Sequence, residues 1–196
     1  MPTDNPRARG RPRRFDPDHA VAVAQNLFHT RGYDAVSVAD VTEALGINPP
    51  SFYAAFGSKA GLYGRVLDRY AGTDAIPLHD ILRPDRPVGE ALAAVLEEAA
   101  RRYAGHPSAL GCLVLEGTRC NDREAREAAS AFHIAAEDVI RHYIAERYPE
   151  DADRLTDFVG TTMAGLSAAA RNGHGLDRLL ATARLAGLAL AEALPA

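Results

Sequence analysis

The chain has 196 residues, 47% of them hydrophobic, and carries 22 basic against 26 acidic side chains, a formal net charge of −4. This length and apolar content suffice for one large domain or two small ones with a sizeable core. Two cysteines are too few for a disulfide scaffold, and no run approaches the ~20 apolar residues that span a bilayer. No apolar stretch follows the first residues as in a secretory signal, so we expect a cytoplasmic protein without a membrane partner.

Charge is distributed unevenly along the chain. Residues 1–70 hold nine basic and seven acidic groups, so the acidic excess lies in residues 71–196. Five arginines lie between Arg7 and Arg14 with no acidic residue among them. Such a basic arm is typical of a tail that contacts nucleic acid, although a solvated N-terminus gives the same pattern. We predict a basic arm over residues 1–14.

Capping residues and apolar spacing predict four helices in residues 15–70. Each predicted start is a polar side chain that can accept a hydrogen bond from the free N–H groups of the first turn, and the first three helices end at a glycine. The starts are Asp16, Ser37 (with Asp40 completing a capping box), Asn48 and Ser58, and the glycines are Gly32, Gly46 and Gly57.

Helical segments also fill the rest of the chain, after an irregular connection predicted at residues 71–88. Proline and glycine divide this part into helices over 89–104, 108–120, 122–148, 151–171 and 176–194. No stretch shows the alternation of a strand. The sequence therefore predicts an all-α fold with one unit over residues 15–70 and a second over 71–196.

The second and third predicted helices are joined by Gly46-Ile47-Asn48. Two short helices with a short glycine-containing turn are typical of the helix–turn–helix that reads DNA, although such hairpins also occur in other all-α proteins. In a DNA reader the third helix enters the major groove by its N-terminal end, where short side chains permit a close approach. Hydroxyl and ammonium groups nearby can donate to phosphates. The candidates for DNA contact are Ser37, Asn48, Pro49, Pro50, Ser51, Tyr53 and Lys59.

These residues resemble the N-terminal domain of the TetR family of transcriptional regulators. The resemblance covers about a third of the chain and rests on Ser37-Val38-Ala39-Asp40-Val41, Ala44-Leu45-Gly46-Ile47, Ser51-Phe52-Tyr53, Phe56 and Ser58-Lys59-Ala60-Gly61-Leu62. It implies a homodimeric repressor that binds a palindromic double-stranded DNA operator and is released by a small effector bound to its C-terminal domain. It also implies that Ser37, Ser51, Tyr53 and Lys59 touch phosphates, and that the segment from Asn48 to Pro50 reaches bases.

The third helix departs from the family pattern in a way that bears on specificity. Two prolines and Ala54-Ala55 stand where the family often has hydrogen-bond donors, so few of its side chains can donate to bases. The arm offers a compensation, because Arg9-Gly10-Arg11-Pro12-Arg13 is similar to the core of an AT-hook, which lies in a narrow minor groove. We hypothesise that Arg11, Arg13 and Arg14 contact the minor groove or phosphates; the alternative is a mobile tail that gives only diffuse attraction.

Apolar residues at spacings of four and three line both of the last two predicted helices. An intrachain helix pair would give this pattern, but the resemblance favours a dimer interface of two helices from each subunit, and we predict a homodimer. The predicted interface residues are Leu155, Val159, Thr162 and Leu166 on one helix, and Leu176, Leu180, Ala183, Gly187 and Leu190 on the other.

An effector pocket is expected between the central helices, lined by apolar side chains with a few polar groups. Any one of the candidates could instead be an ordinary core residue. The candidates are Tyr103, Cys112, Glu116, Phe132, His133 and Met163.

Other classes of function find less support. Cys112 and Cys120 allow a redox-sensing alternative, but on one helix they would lie about 12 Å apart, beyond the ~7 Å Cα separation of a disulfide. No histidine pair has metal-ligand spacing, no phosphate-binding loop or nucleophile motif is found, and we expect no metal, cofactor or enzymatic activity. An architectural DNA-binding protein without an effector is a further alternative, against which the large C-terminal part argues.

Overall fold

A computed structural model describes residues 16–105 and 110–194. Within these ranges the chain is helical with no strand, which confirms the all-α prediction. The predicted arm, with Arg11, Arg13 and Arg14, lies outside the described residues. The helices are α1 (Pro17–Arg31), α2 (Val38–Leu45), α3 (Pro49–Phe56), α4 (Lys59–Thr73), α5 (Leu78–Ile81), α6 (Val88–Ala104), α7 (Leu113–Gly117), α8 (Arg123–Ala145), α9 (Ala152–Arg171) and α10 (Leu176–Ala193), with a 3₁₀ turn at Pro149–Asp151.

The first four helices begin at the predicted caps. The Asn48 side-chain oxygen accepts from the Ser51 N–H at 2.9 Å, and the Ser58 hydroxyl oxygen accepts from the Gly61 N–H at 2.8 Å. Asp16 caps α1 in the same way, and a complete capping box starts α2. These bonds satisfy N–H groups that a helix start leaves without partners, so local sequence sets the boundaries here.

Two hydrophobic cores organise the described residues. The N-terminal core lies among α1–α4, around Phe28, Phe52 and Leu62, and also takes residues from α7 and the first half of α8. The C-terminal core lies among α6, α9, α10 and the second half of α8. Because α8 contributes to both cores, it packs the N-terminal unit (α1–α4) firmly onto the C-terminal unit (α6–α10).

Two of the predicted segments differ from the structure. The connection at 71–88 is partly helical, since α4 continues to Thr73 and α5 forms inside it. The described part of the helix predicted at 108–120 is helical only over Leu113–Gly117. Gly111 interrupts it with φ +78°, and a Cβ there would lie 2.9 Å from the Ser167 hydroxyl oxygen, so tertiary packing prevents a longer helix.

Most of the predicted dimer seam is covered inside one chain. Side chains that pack against α6 and are already fully buried have no surface to offer a second subunit, so the prediction was wrong for these positions. They are Leu155, Val159, Leu166, Ala183 and Leu190, each at most 2% exposed. Gly187 also faces α6, because a Cβ there would lie 3.0 Å from the Ala93 Cβ. Thr162 and Leu180 are half-buried and Leu176 is exposed, and their place in an interface stays a prediction.

The opposite face of α9 and α10 carries a second row of apolar and small residues, which we call the outer stripe. On α10 it contains Leu185 and Leu188, which are 69% and 70% exposed, and on α9 it contains Phe158, which is 39% exposed. Gly165 and Ala168 continue the row on α9, and Ala181 continues it on α10. Two neighbouring leucines with this much exposure are unusual on the surface of a monomeric protein.

None of the helices described is both long and apolar enough to cross a membrane.

Candidate nucleic-acid interface and ligand cavity

The α2–α3 pair presents one open face. Gly46 adopts a left-handed conformation (φ 64°, ψ 32°) that ends α2, and Asn48 caps α3 two residues later. Phe52 is fully buried beneath α3, which turns Tyr53 outward, where it is 52% exposed. The remaining N-terminal residues of α3, Pro49 and Pro50, are also exposed. The geometry is therefore that of a helix whose N-terminal end can approach a groove.

Polar groups beneath this face are engaged within the chain. The Ser37 hydroxyl accepts from the Asp40 N–H at 3.1 Å and donates to the Asp40 carboxylate, and Arg31 donates to the same carboxylate at 2.8 Å. The bonds from Ser37, and secondly that from Arg31, hold the pKa of Asp40 far below its usual value. A phosphate contact by the Ser37 hydroxyl would compete with this capping bond, so the structure gives Ser37 a positioning role first.

Lys59 occupies a comparable position at the start of α4. Its ammonium donates to the carbonyl oxygens of Tyr33 at 3.0 Å and Val36 at 2.8 Å, and it lies 3.9 Å from the centre of the Tyr33 ring. The ammonium thus ties the loop between α1 and α2 to α4. One donor remains for a phosphate, and the contact predicted for Lys59 stays a prediction.

The interface carries little positive charge of its own. Residues 38–56 contain Asp40 and Glu43 and no basic residue. Arg65, which the sequence prediction passed over, is exposed on α4 and lies 5.4 Å from the Phe56 ring at the end of α3. Its signal in the sequence was its basic side chain about 1.7 turns after Lys59 on the same helix. Most of the charge needed to neutralise phosphates must come from outside α2 and α3.

A cavity of about 160 Å³ lies where α4, α6, α8 and α9 meet, and we call it the α4–α8 cavity. Its walls are almost entirely apolar. Five of the six predicted effector residues line it, namely Tyr103, Cys112, Phe132, His133 and Met163, together with Tyr70, Ile76, Leu115, Glu137 and Ile140.

Glu116 is the sixth candidate, and the structure contradicts its placement. Because α7 is only one turn long, Glu116 faces α9, where its carboxylate lies 3.2 Å from Arg171 in a separate shallow groove. The acidic side chain in the cavity is instead Glu137, 3.4 Å from His133 one turn earlier on α8. Apolar periodicity could not find Glu137, since a charged residue on a long helix is more often solvated.

The two cysteines lie in different surroundings. Cys112 precedes α7 and its sulfur lines the α4–α8 cavity, whereas Cys120 follows α7 and is 5% exposed in the N-terminal core. Both are free thiols. Burial, followed by the neighbouring Asp34 and Asp122 carboxylates, raises the pKa of Cys120. The separation expected for one helix does not apply, since no single helix holds both.

Hydrogen bonds link the segment around Cys112 to both units. The Cys112 N–H donates to the Ser167 hydroxyl on α9 at 2.9 Å, and the Gly111 carbonyl lies 3.1 Å from Nε2 of His29 on α1. Arg171 on α9 donates to the carbonyl oxygen of His29 at 3.3 Å. The cavity residue Cys112 is therefore one peptide bond and one hydrogen bond away from α1.

No group of three or more His, Cys, Asp or Glu side chains suited to a metal ion occurs in the described part of the chain.

Residues 20–66 match the family described as bacterial regulatory proteins, tetR family. The HTH-type transcriptional repressor BdcR of Escherichia coli K12 is 59% identical over 184 residues, which cover 94% of this chain and 93% of BdcR. ComR of the same organism, also an HTH-type transcriptional repressor, is 30% identical over 89% of this chain and 88% of its own length.

A solved structure of the regulator CifR, a cysteine mutant in complex with 26-bp double-strand operator DNA, superposes with a TM-score of 0.81 at 35% identity. It covers 91% of this chain and 99% of the CifR chain.

Proposed function

This chain belongs to the tetR family of bacterial regulatory proteins and is a DNA-binding transcriptional regulator, and on that premise we propose that it is a repressor. It binds a palindromic operator as a homodimer in the cytoplasm, and a small molecule in the α4–α8 cavity releases it. The observation that carries the proposal is the open face of α3, with Phe52 turned inward and Tyr53, Pro49 and Pro50 turned outward. The operator complex of CifR, which has the same fold, supports it.

The outer stripe supplies the dimer interface in this proposal. Burying the exposed apolar surface of Leu185 and Leu188 against a second copy would contribute about 25 cal/mol for each Å² covered. The small residues Gly165, Ala168 and Ala181 allow the helices to approach closely. Two copies related by a two-fold axis then present two α3 helices to one side of the DNA, as a palindrome requires.

The DNA contacts divide between specificity and charge. Asn48, Pro49, Pro50 and Tyr53 face the groove, and Ser51, Lys59 and Arg65 border it. The arginines of residues 1–14 supply the phosphate and minor-groove contacts that α2 and α3 lack, since those helices bear only acidic charges.

Release is a coupling between two sites. α4 runs from Lys59, beside the DNA face, to the cavity wall at Tyr70, so a ligand that displaces Tyr70 also changes the angle of the N-terminal unit. In this role the protein performs no enzymatic step and needs no cofactor.

Footprinting with DNA from upstream of the gene, using the purified full-length protein, tests the proposal. A single protected palindrome is expected. Sequence-independent binding would favour the architectural alternative.

A pair of variants with similar exposure locates the interface. Tyr53→Ala on α3 should weaken operator binding by about tenfold or more, because it removes a contact to the DNA. Ile134→Ala on α8 removes a side chain of similar exposure, 56% against 52%, and should leave the affinity unchanged. Equal effects of the two variants would contradict the assignment of α3.

A further inference from the structure

The size of the α4–α8 cavity limits what it can hold. Its volume is about 160 Å³. An apolar cavity of roughly 150 Å³ accommodates benzene, while sites for drug-sized molecules start near 300 Å³. With mostly apolar walls, the cavity suits a molecule about as large as one six-membered ring with few polar atoms.

Cys112 supplies the one thiol among the described residues that line this cavity. The Tyr70 hydroxyl donates to its sulfur at 3.7 Å, and the Tyr103 side chain lines the same cavity. Both phenols are buried, at 3% and 2% exposure. Thiol sulfur is a weak acceptor, so the buried Tyr70 O–H directed at it is better satisfied when negative charge develops there.

We propose that the α4–α8 cavity captures a small apolar α,β-unsaturated aldehyde or ketone by conjugate addition of the Cys112 thiol. The sulfur forms a bond to the β-carbon, the C=C π bond breaks, and the thiol proton ends on the α-carbon. No oxidant or reductant is consumed. Tyr70 donates to the sulfur as it becomes thiolate-like, in an apolar site where such bonds are strong. The inference rests on the proposed effector-released repressor and names its ligand class.

The adduct has a direct route to the DNA face. Once the sulfur is bonded to carbon, it is a poorer acceptor for Tyr70, and the adduct fills the space between α4 and α8. Tyr70 belongs to α4, which continues to Lys59, and the Cys112 segment is bonded to α1 through Gly111 and His29. Capture therefore shifts the two helices that support α2 and α3.

Cys120 is the matched control thiol. It is 5% exposed, lies outside the cavity, and its sulfur is 3.5 Å from the Asp122 carbonyl oxygen. Because Cys112 is also the more exposed of the two thiols, modification of Cys112 alone is not sufficient, and the inference also requires release of the operator and slower reaction in Tyr70→Phe.

The test incubates the full-length protein with 2-cyclohexen-1-one or with saturated cyclohexanone, then measures intact mass, the modified peptide and operator affinity. We expect one enone per chain on Cys112 and at least about tenfold weaker operator binding, within the usual range of allosteric coupling. Cys120→Ser should form the Cys112 adduct and lose operator affinity as the natural chain does. Cyclohexanone should leave the intact mass and the operator affinity unchanged.

Three results would overturn the inference: no adduct on Cys112, an adduct without release, or equal release by cyclohexanone, which would indicate reversible apolar binding. Cys112→Ser should form no adduct and keep its operator affinity in the presence of the enone. If Cys112→Ser fails to fold, Tyr70→Phe keeps the ring and removes the donor to the sulfur, so it should slow adduct formation severalfold. A chain that binds no operator before any reagent is added would instead refute the proposed function, so the two failures are distinguishable.

Discussion

The N-terminal and C-terminal units each have a hydrophobic core, but they differ in how their helices begin. In α1–α4 every helix starts with a side-chain cap, and Lys59 adds bonds to two carbonyl oxygens. Of the long helices in the C-terminal unit, α8 starts with a cap from Asp122, whereas α6, α9 and α10 start without a side-chain cap and are held by apolar packing. Directional bonds fix a small structure in one geometry, whereas packed helices around a cavity can shift when it is filled. The first unit suits reading DNA and the second suits responding to a ligand.

The outer stripe gives the largest expected effect, since the proposal completes the C-terminal unit by packing against a second copy. Leu185→Arg places a charge without a partner in that interface, which costs several kcal/mol. We expect the dimer to dissociate and operator binding to weaken at least about 100-fold. Light scattering and anisotropy titration measure the two.

Ile134→Arg is the control for this change, since Ile134 is an apolar residue on α8 that is 56% exposed. It should stay dimeric. A dimer that survives Leu185→Arg would place the interface elsewhere, and the half-buried Leu180 and Thr162 would be tested next.

A substitution of Lys59 tests whether hydrogen bonds from its ammonium stabilise the N-terminal unit. Lys59→Met keeps the length of the side chain and removes two charged hydrogen bonds and a cation–π contact, so we expect about 3 kcal/mol less free energy of unfolding. Denaturant titration measures it. Arg65→Met removes only an exposed charge beside Phe56 and should cost less than about 1 kcal/mol. Equal stabilities of the two variants would mean that the ammonium does not hold the N-terminal unit together.

Sequence predicted this unit well because its caps act within three residues. Asn48 and Ser58 need only their own first turn, and no distant contact overrides them. The packing partners of the C-terminal helices were harder to predict. Apolar periodicity identifies a buried side of α10, but it does not tell whether α6 or a second chain covers that side. Gly111 and Glu116 were missed for a similar reason, since Ser167 and Arg171 on distant α9 decide their conformation and partner.

Changes in the arm should have a smaller effect than Leu185→Arg or Lys59→Met. Deleting residues 1–12 removes Arg7, Arg9 and Arg11 from each subunit, six arginines per dimer, and should lower the slope of log affinity against log salt by up to about 5. Replacing the same three arginines by lysine separates the two readings of the arm. Diffuse attraction predicts unchanged affinity, whereas insertion in a narrow minor groove predicts weaker binding, since the groove favours arginine.

Asp40 gives the smallest and most specific signal. Its pKa in the folded protein lies far below the usual 3.8, first through Ser37 and then through Arg31. A carboxyl group whose folded pKa is lowered contributes stability above its unfolded pKa and loses it as the pH falls toward the folded value. The stability difference between the natural chain and Asp40→Asn should therefore be largest above about pH 5 and shrink in acid.

Asp85 provides the counterpart in the second unit, because its pKa is also lowered, chiefly by a hydrogen bond from Arg83. That pair lies on the surface and caps no helix, with the Asp85 side chain 67% exposed. Water screens such a pair and little structure depends on it. Denaturant titrations of Asp85→Asn across the same pH range should show a smaller change than those of Asp40→Asn. If the two profiles of stability against pH coincide, the capping box of Asp40 stabilises the protein no more than an ordinary surface ion pair does. Capping hydrogen bonds would then not distinguish the N-terminal unit at α2.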